Sequence, residues 1–339
     1  MRFKKNLLIG YCLLLGVVAQ AQKDSLVLKN GDIIVGEIKS MDKGVLTIET
    51  AYSKKDFTVE WSGIREIFSK SHFLVTLTNG QRIKGTVESV EAGKKIIING
   101  DDGSKTETTL GEMVFLKGLK SDFWSRAYAS IDLGLSFTKA NNLQQYNVRS
   151  KFGYLADKWQ TDIFYDDTRS KQDSVAETKR TEGGIAGKYF LQKDWYLAAS
   201  LNFLSNTEQA LDLRTTGKLG IGKYLVHTNK QYWGLGAGLS LNNERFTNGT
   251  ASRSSLEAYF GSELNLFDIG DLSLLSNIWA YPSLTENGRW RTDFIFDLKY
   301  DLPLDLYIKL GFTLNYDNRP AVKGKETDYV LAFSIGWEL

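Results

Sequence analysis

Two histidines, His72 and His227, are all that this 339-residue sequence offers for acid–base chemistry near neutral pH. A Ser–His or Asp–His pair needs the imidazole within reach of a nucleophile or an orienting carboxylate. His227 falls in a short connection between two apolar-alternating segments, so a surface hydrolase built on it is a subsidiary reading. The one cysteine, Cys12, lies in the N-terminal leader, which leaves the mature chain without thiol or disulfide chemistry. Dispersed histidines without cysteine make no transition-metal set, and no metal or cofactor is expected. Asp101-Asp102-Gly103-Ser104 precedes Glu112 at the twelfth place of an EF-hand count, but the alternating oxygen ligands are missing. It reads as a hairpin turn. Gly183 to Lys188 is followed by Tyr189 instead of Ser or Thr, and Gly234-Leu-Gly-Ala-Gly238 lacks a strand-to-helix setting. Both glycine runs read as small residues on the crowded inner wall of a sheet.

The more informative chemistry is a set of charges at alternate positions of apolar segments. It comprises Asp132, Arg149, Lys151, Asp162, Asp166, Lys188, Arg214, Lys218, Glu257, Glu263, Arg291, Asp293, Asp297, Lys299 and Lys309. Both signs are interspersed and no single-sign ring appears. Such a set either steers a solute through a polar pore or fills a narrow lumen with ion pairs.

Strands must position these charges. From residue 124 onward, segments of ~10–15 residues alternate in the way tilted membrane strands require. About twelve are expected, with cores near 126–137, 143–156, 158–168, 179–191, 195–205, 211–226, 231–242, 252–267, 272–283, 289–300, 305–316 and 327–339. In the last, Tyr329, Leu331, Phe333, Ile335, Trp337 and Leu339 share one face, and this strand is expected to zip to the first and close a barrel. Short connections such as Ala156-Asp157-Lys158 and Gln192-Lys193-Asp194 alternate with longer polar links such as Arg169 to Thr178, Asn243 to Ser252 and Asp317 to Glu326. Trp124, Trp159, Trp195, Trp233, Tyr307 and Trp337 would lie at one membrane interface. Proline, which removes a ladder hydrogen bond, occurs only 3 times in the chain.

Ahead of this region lie two other kinds of sequence. Residues 1–21 read as a signal peptide, with Arg2, Lys4 and Lys5 before an apolar run to Val18 and an Ala19-Gln20-Ala21 cleavage site. Residues 22–118 contain a tandem repeat, about 24–70 and 73–118. Leu28, Asn30, Gly31, Gly36, Ser40, Gly44 and Ile48 recur as Leu77, Asn79, Gly80, Gly85, Ser89, Gly93 and Ile97, a constant offset from 30 to 79. Each copy, with an Asn-Gly hairpin signal of the type I′ kind, resembles a small SH3-like or Sm-like β-barrel. No basic, aromatic-studded face points to nucleic acid, and 42 basic against 40 acidic residues agree with that.

Leader, alternating region from about 124 to 339 and aromatic-alternating terminus together resemble the outer-membrane family called domain of unknown function 481, some of whose members carry the label salt-induced outer membrane protein. The resemblance implies an outer-membrane barrel and supplies no catalytic residues. The expected protein is all-β: a transmembrane antiparallel barrel of about twelve strands at 119–339, preceded by the repeats in the periplasm. Its partners would be outer-membrane lipid, the barrel-assembly machinery and an unidentified periplasmic partner of the repeats. The function class is non-enzymatic, either a narrow small-solute channel with a periplasmic adaptor or an anchor with a filled lumen and no transport.

Overall fold

A computed structural model describes residues 24–119, 123, 126–139, 142–304, 306–320 and 326–337. The leader, Trp124, Glu338 and Leu339 lie outside the described residues. Among the described residues, no helix is long and apolar enough to cross a membrane.

The first ten strands are β1 (Asp24–Leu28), β2 (Ile33–Asp42), β3 (Val45–Glu49), β4 (Phe57–Glu60), β5 (Ile64–Phe68), β6 (Phe73–Leu77), β7 (Arg82–Val90), β8 (Lys95–Gly100), β9 (Lys105–Thr108) and β10 (Met113–Gly118). β1 to β5 form one repeat and β6 to β10 the other. The copies do not close separately. The last strand of each pairs with the first strand of its own repeat on one side and with the second strand of the other repeat on the other side, β5 with β7 and β10 with β2. With β1–β2, β1–β5, β6–β7 and β6–β10 this makes one closed ring of six strands around a shared core. Leu26, Ile38 and Ile67 of the first copy and their equivalents Val75, Val87 and Leu116 are fully inaccessible within it. Trp61 Nε1 donates 2.8 Å to the carbonyl of Leu110, its own counterpart in the other repeat. Ser69 and Ser89 lock the exchange, their hydroxyls accepting from the amides of Val87 and Ile67 at 2.7 and 2.8 Å.

Two details of the repeat differ from the sequence reading. The Asn-Gly hairpins are three-residue loops: Leu28 N donates to Asp32 O, Gly31 N to Leu28 O, and only Gly31 (φ +94) has positive φ. Leu77, Gln81 and Gly80 (φ +77) repeat the arrangement. This is a type I turn with a G1 bulge; the Asn side chain instead accepts from the amide two residues on. The second turn is one residue longer in the second copy, so the buried counterpart of Ile48 is Ile98 and not Ile97.

The other twelve strands are β11 (Ala127–Thr138), β12 (Leu143–Leu155), β13 (Trp159–Gln172), β14 (Val175–Phe190), β15 (Trp195–Asn206), β16 (Leu211–His227), β17 (Gln231–Phe246), β18 (Arg253–Ile269), β19 (Leu272–Pro282), β20 (Trp290–Leu302), β21 (Leu306–Asp317) and β22 (Thr327–Trp337). They pair in chain order as one antiparallel sheet. Expected cores and observed strands coincide within a few residues except at two of the long links. β13 and β14 run on to a tight turn at Asp173-Ser174, and β17 extends to Phe246. Polar residues extend a ladder as well as apolar ones once the register is set.

The sheet is curled into a barrel, since side chains from non-neighbouring strands meet inside it: Lys218 of β16 with Tyr281 of β19, and Arg291 of β20 with Glu257 of β18. Its seam is not zipped. Among the described residues, β11 and β22 pair only with β12 and β21, and both faces of each are exposed. The expectation that the last strand bonds the first is corrected here: period-two alternation fixes which way a strand faces and says nothing about its neighbour.

The small barrel docks on the end of the large one that carries the short turns. Arg82 donates to the carbonyls of Asp157 (2.7 Å) and Ala156 (3.3 Å), and its guanidinium lies 4.1 Å from the Phe190 ring centroid. Gly80 packs so closely on the backbone of Asp194 that a Cβ there would overlap it. Leu74 and Leu119 bury themselves against Leu155. A cavity of about 500 Å³ is left between Lys43, Arg82 and Phe115 on one side and Tyr128, Tyr224 and Tyr232 on the other.

Candidate functional site: the inner face of the large barrel

Outward positions carry the apolar residues. Ile131, Leu133, Leu135 and Phe137 on β11 are each exposed, as are Leu197, Leu201 and Phe203 on β15 and Leu235, Leu239 and Leu241 on β17. The cross-strand register then assigns the opposite face without exception. Asp132 pairs Arg149 and Arg149 pairs Asp166; Lys151 lies beside Ser130; Gly153 pairs Asp162. Lys188 pairs Ala198, Lys218 pairs Ser200 and Ser240, and Arg214 pairs Glu244. Glu257 and Glu263 share the inner row of β18, Arg291, Asp293, Asp297 and Lys299 that of β20, and Lys309 faces Lys299 from β21. All the charges named from the sequence therefore share one face.

Only some of them are brought into contact. Lys151 pairs with Asp162 at 3.1 Å, and the Asp162 carboxylate also accepts from the Tyr128 hydroxyl. Arg291 grips Glu257 with two hydrogen bonds, 2.6 and 3.0 Å, and Arg214 pairs with Glu244 at 2.7 Å. Lys218 donates to the Tyr281 hydroxyl (2.9 Å), and Lys309 stands over the Tyr307 ring. Among the described residues, Asp132, Arg149, Asp166, Lys188, Glu263 and Asp297 have no ion pair.

Several members of the densest cluster escaped the sequence reading. Arg289, 2% exposed, reaches Asp317 (2.7 Å), Glu244 (3.4 Å) and Glu286 (3.4 Å), while Arg253 faces Glu244 and Glu286 from β18. A buried guanidinium surrounded by three carboxylates holds the ends of β17, β19, β20 and β21 together, and removal of one partner would strand a charge. Glu244 was legible as the continuation of the even-numbered inner row of β17. Arg289 was not, since it sits in a connection. This cluster lines a cavity of about 590 Å³ at the end opposite the small barrel, and its charges largely neutralise one another.

The aromatics divide differently from expectation. Trp159, Trp195, Trp233 and Trp337 are exposed on the outward face, whereas Trp124 lies outside the described residues. Tyr307 is a correction: it pairs Gly336 on the inner row, with its ring between Lys299 and Lys309. The adjacent outward residue is Leu306, as the period of two requires.

His227 Nδ1 lies 2.7 Å from Asp194 Oδ1, with its ring against Tyr224 at the domain junction. Asp101 is held between His72 and Lys84, and Asp102 accepts from the Ser104 amide in a turn. No group of three or more metal-ligating side chains exists among the described residues.

Residues 131–338 match the family model described as Protein of unknown function, DUF481. No curated protein matches the chain.

Proposed function

The chain belongs to the family described as Protein of unknown function, DUF481, and from that premise we propose that it is a non-enzymatic barrel of the bacterial outer membrane whose lumen is stoppered instead of open. The apolar outward face supports the membrane setting. The small barrel sits against the short turns, which in bacterial barrels are periplasmic, so the repeats belong to that side. The observation that carries the stopper is the grip of Arg82 on the carbonyls of Ala156 and Asp157, which fixes the small barrel over one mouth. The Arg289 cluster crowds the other. The protein then serves as an anchored periplasmic module, with lipid, the assembly machinery and a periplasmic protein as partners. The narrow-channel alternative predicts the opposite electrical behaviour. Purified full-length protein, folded by the criterion of a heat-modifiable gel shift, should give no steady unitary conductance in planar bilayers. Reproducible porin-like steps from that material would overturn the stopper. The heat-modifiable species should fractionate with outer membranes, and recovery of a soluble species alone would remove the membrane setting.

A further inference from the structure

Midway along the lumen is a chamber of about 410 Å³, within the range of small-molecule sites. Small residues make part of its wall, Ala198 beside Lys188 across the ladder together with Ser200 and Gly236. Tyr196, Tyr259, Trp279 and Tyr281 supply its aromatic walls. Two of its charges, Lys188 and Glu263, have neither an ion pair nor a hydrogen bond among the described residues. Lys188 meets only the face of Tyr196, its Nζ 4.9 Å from the ring centroid. The direct cross-strand neighbour of Glu263, Asn277, also lines the chamber, and the Asn277 Oδ1 accepts no hydrogen bond.

An uncompensated carboxylate beside an idle acceptor, framed by aromatic faces, suits an ammonium group. An uncompensated ammonium on another wall suits a carboxylate. We propose that this chamber binds a small zwitterion with an aromatic body, of the chemical class of an aromatic amino acid: its ammonium on Glu263 and Asn277, its carboxylate on Lys188, its ring among Tyr259, Trp279 and Tyr281. The proposal needs the barrel to be folded and is indifferent to whether the lumen conducts.

Saturation-transfer NMR on the full chain in lipid nanodiscs, with empty discs as blank, tests it. The probes are L-phenylalanine, phenethylamine, which keeps only the ammonium, and 3-phenylpropionate, which keeps only the carboxylate. Wild type should bind L-phenylalanine saturably and more tightly than either truncated probe. Glu263→Gln should weaken the two amine-bearing probes about tenfold and leave 3-phenylpropionate unchanged, and Lys188→Gln should do the converse, as loss of one charged hydrogen bond implies. No saturable binding by heat-modifiable wild type would overturn the proposal. Equal losses for all three probes in either variant would also overturn it, since that pattern marks a general distortion and not a charge-matched site.

Discussion

The ring of Tyr259 on β18 lies on the bare backbone of Gly220, two strands away on β16: a Cβ at Gly220 would overlap the tyrosine hydroxyl. The same arrangement recurs with Tyr196 over Gly222, Trp279 over Gly261, Tyr128 over Gly153 and Tyr307 over Gly336. The inner glycines are therefore seats for rings that lie flat against the wall. Each seat lets a large side chain cover sheet without filling the lumen. Gly220→Val should lift Tyr259 and cost about 1–3 kcal/mol, the usual penalty of overpacking. The check is the urea midpoint of the heat-modifiable species; an unchanged midpoint would show that the ring moves aside freely.

The exchange of β5 and β10 makes the two repeats one folding unit. A fragment holding only residues 22–70 should be unfolded by circular dichroism, because Leu26, Ile38 and Ile67 would lose the facing half of their core. Fragment 22–118 should show a single cooperative thermal transition. Two separable transitions would mean that the copies fold independently, as tandem SH3-like modules would.

Arg82 is the joint between the barrels. Burial pushes its guanidinium down to about 10, against the opposing pull of Asp157 and Tyr224, so it stays charged at neutral pH. Arg82→Met keeps the contact with Phe190 but removes the hydrogen bonds to Ala156 and Asp157, which for a charged donor are worth about 1.5–3 kcal/mol. Amide exchange should accelerate in the turns at 156–158 and 191–195, while the core of the small barrel stays protected. Exchange confined to the small barrel would assign Arg82 to its internal stability instead.

What could be read from the sequence, and what could not, follows the physics of strands. Alternation told which residues share a face, and the register keeps all the lumen charges together, even the unpaired Asp132 and Asp297. Pairing across the lumen was not legible: Arg291 finds Glu257, 34 positions earlier, through the curl of the sheet. Arg289 lay in a connection where no period applies. Tyr307 was misplaced because proximity to a turn was allowed to outweigh the alternation that puts Leu306 outward. The offset between the repeats disclosed their equivalence, but two folds share that offset, one with separate copies and one with exchanged strands. The pairing of β5 with β7 and of β10 with β2 distinguishes them, and the contact of Trp61 with its own counterpart Leu110 agrees.

The small barrel carries one pH-sensitive contact that can be isolated. Burial raises the Asp101 carboxyl, but hydrogen bonds from Lys84 and His72 outweigh it and hold it below the ordinary carboxylate range. A depressed carboxylate contributes stability above its unfolded pKa, near 3.9, and loses it as pH falls through the folded value. Asp101→Asn in fragment 22–118 should therefore lower stability at pH 7 by about 0.5 kcal/mol, a modest figure for a partly exposed pair. The difference from wild type should shrink as pH falls through the folded value and vanish once the carboxyl is protonated in both states. A gap that persists there would trace to the turn geometry and not to charge.

The unzipped seam leads to the last prediction. β11 and β22 each present a row of unpaired N–H and C=O groups, which hydrocarbon cannot satisfy and which costs several kcal/mol per group. Their inner rows are mostly small residues, Ser130 and Gly134 flanking Asp132 on one side and Val330, Ala332 and Ser334 on the other, so little bulk opposes an approach. In a bilayer the two edges should pair with each other. The sequence after the leader contains no cysteine, which makes the test free of background. Ser130→Cys combined in turn with Val330→Cys, Ala332→Cys and Ser334→Cys samples three registers. At least one pair should form an intramolecular disulfide in membranes, seen as faster migration without reductant. Disulfide-linked dimers from every pair, with no intramolecular product, would mean that the edges close on a second copy of the chain.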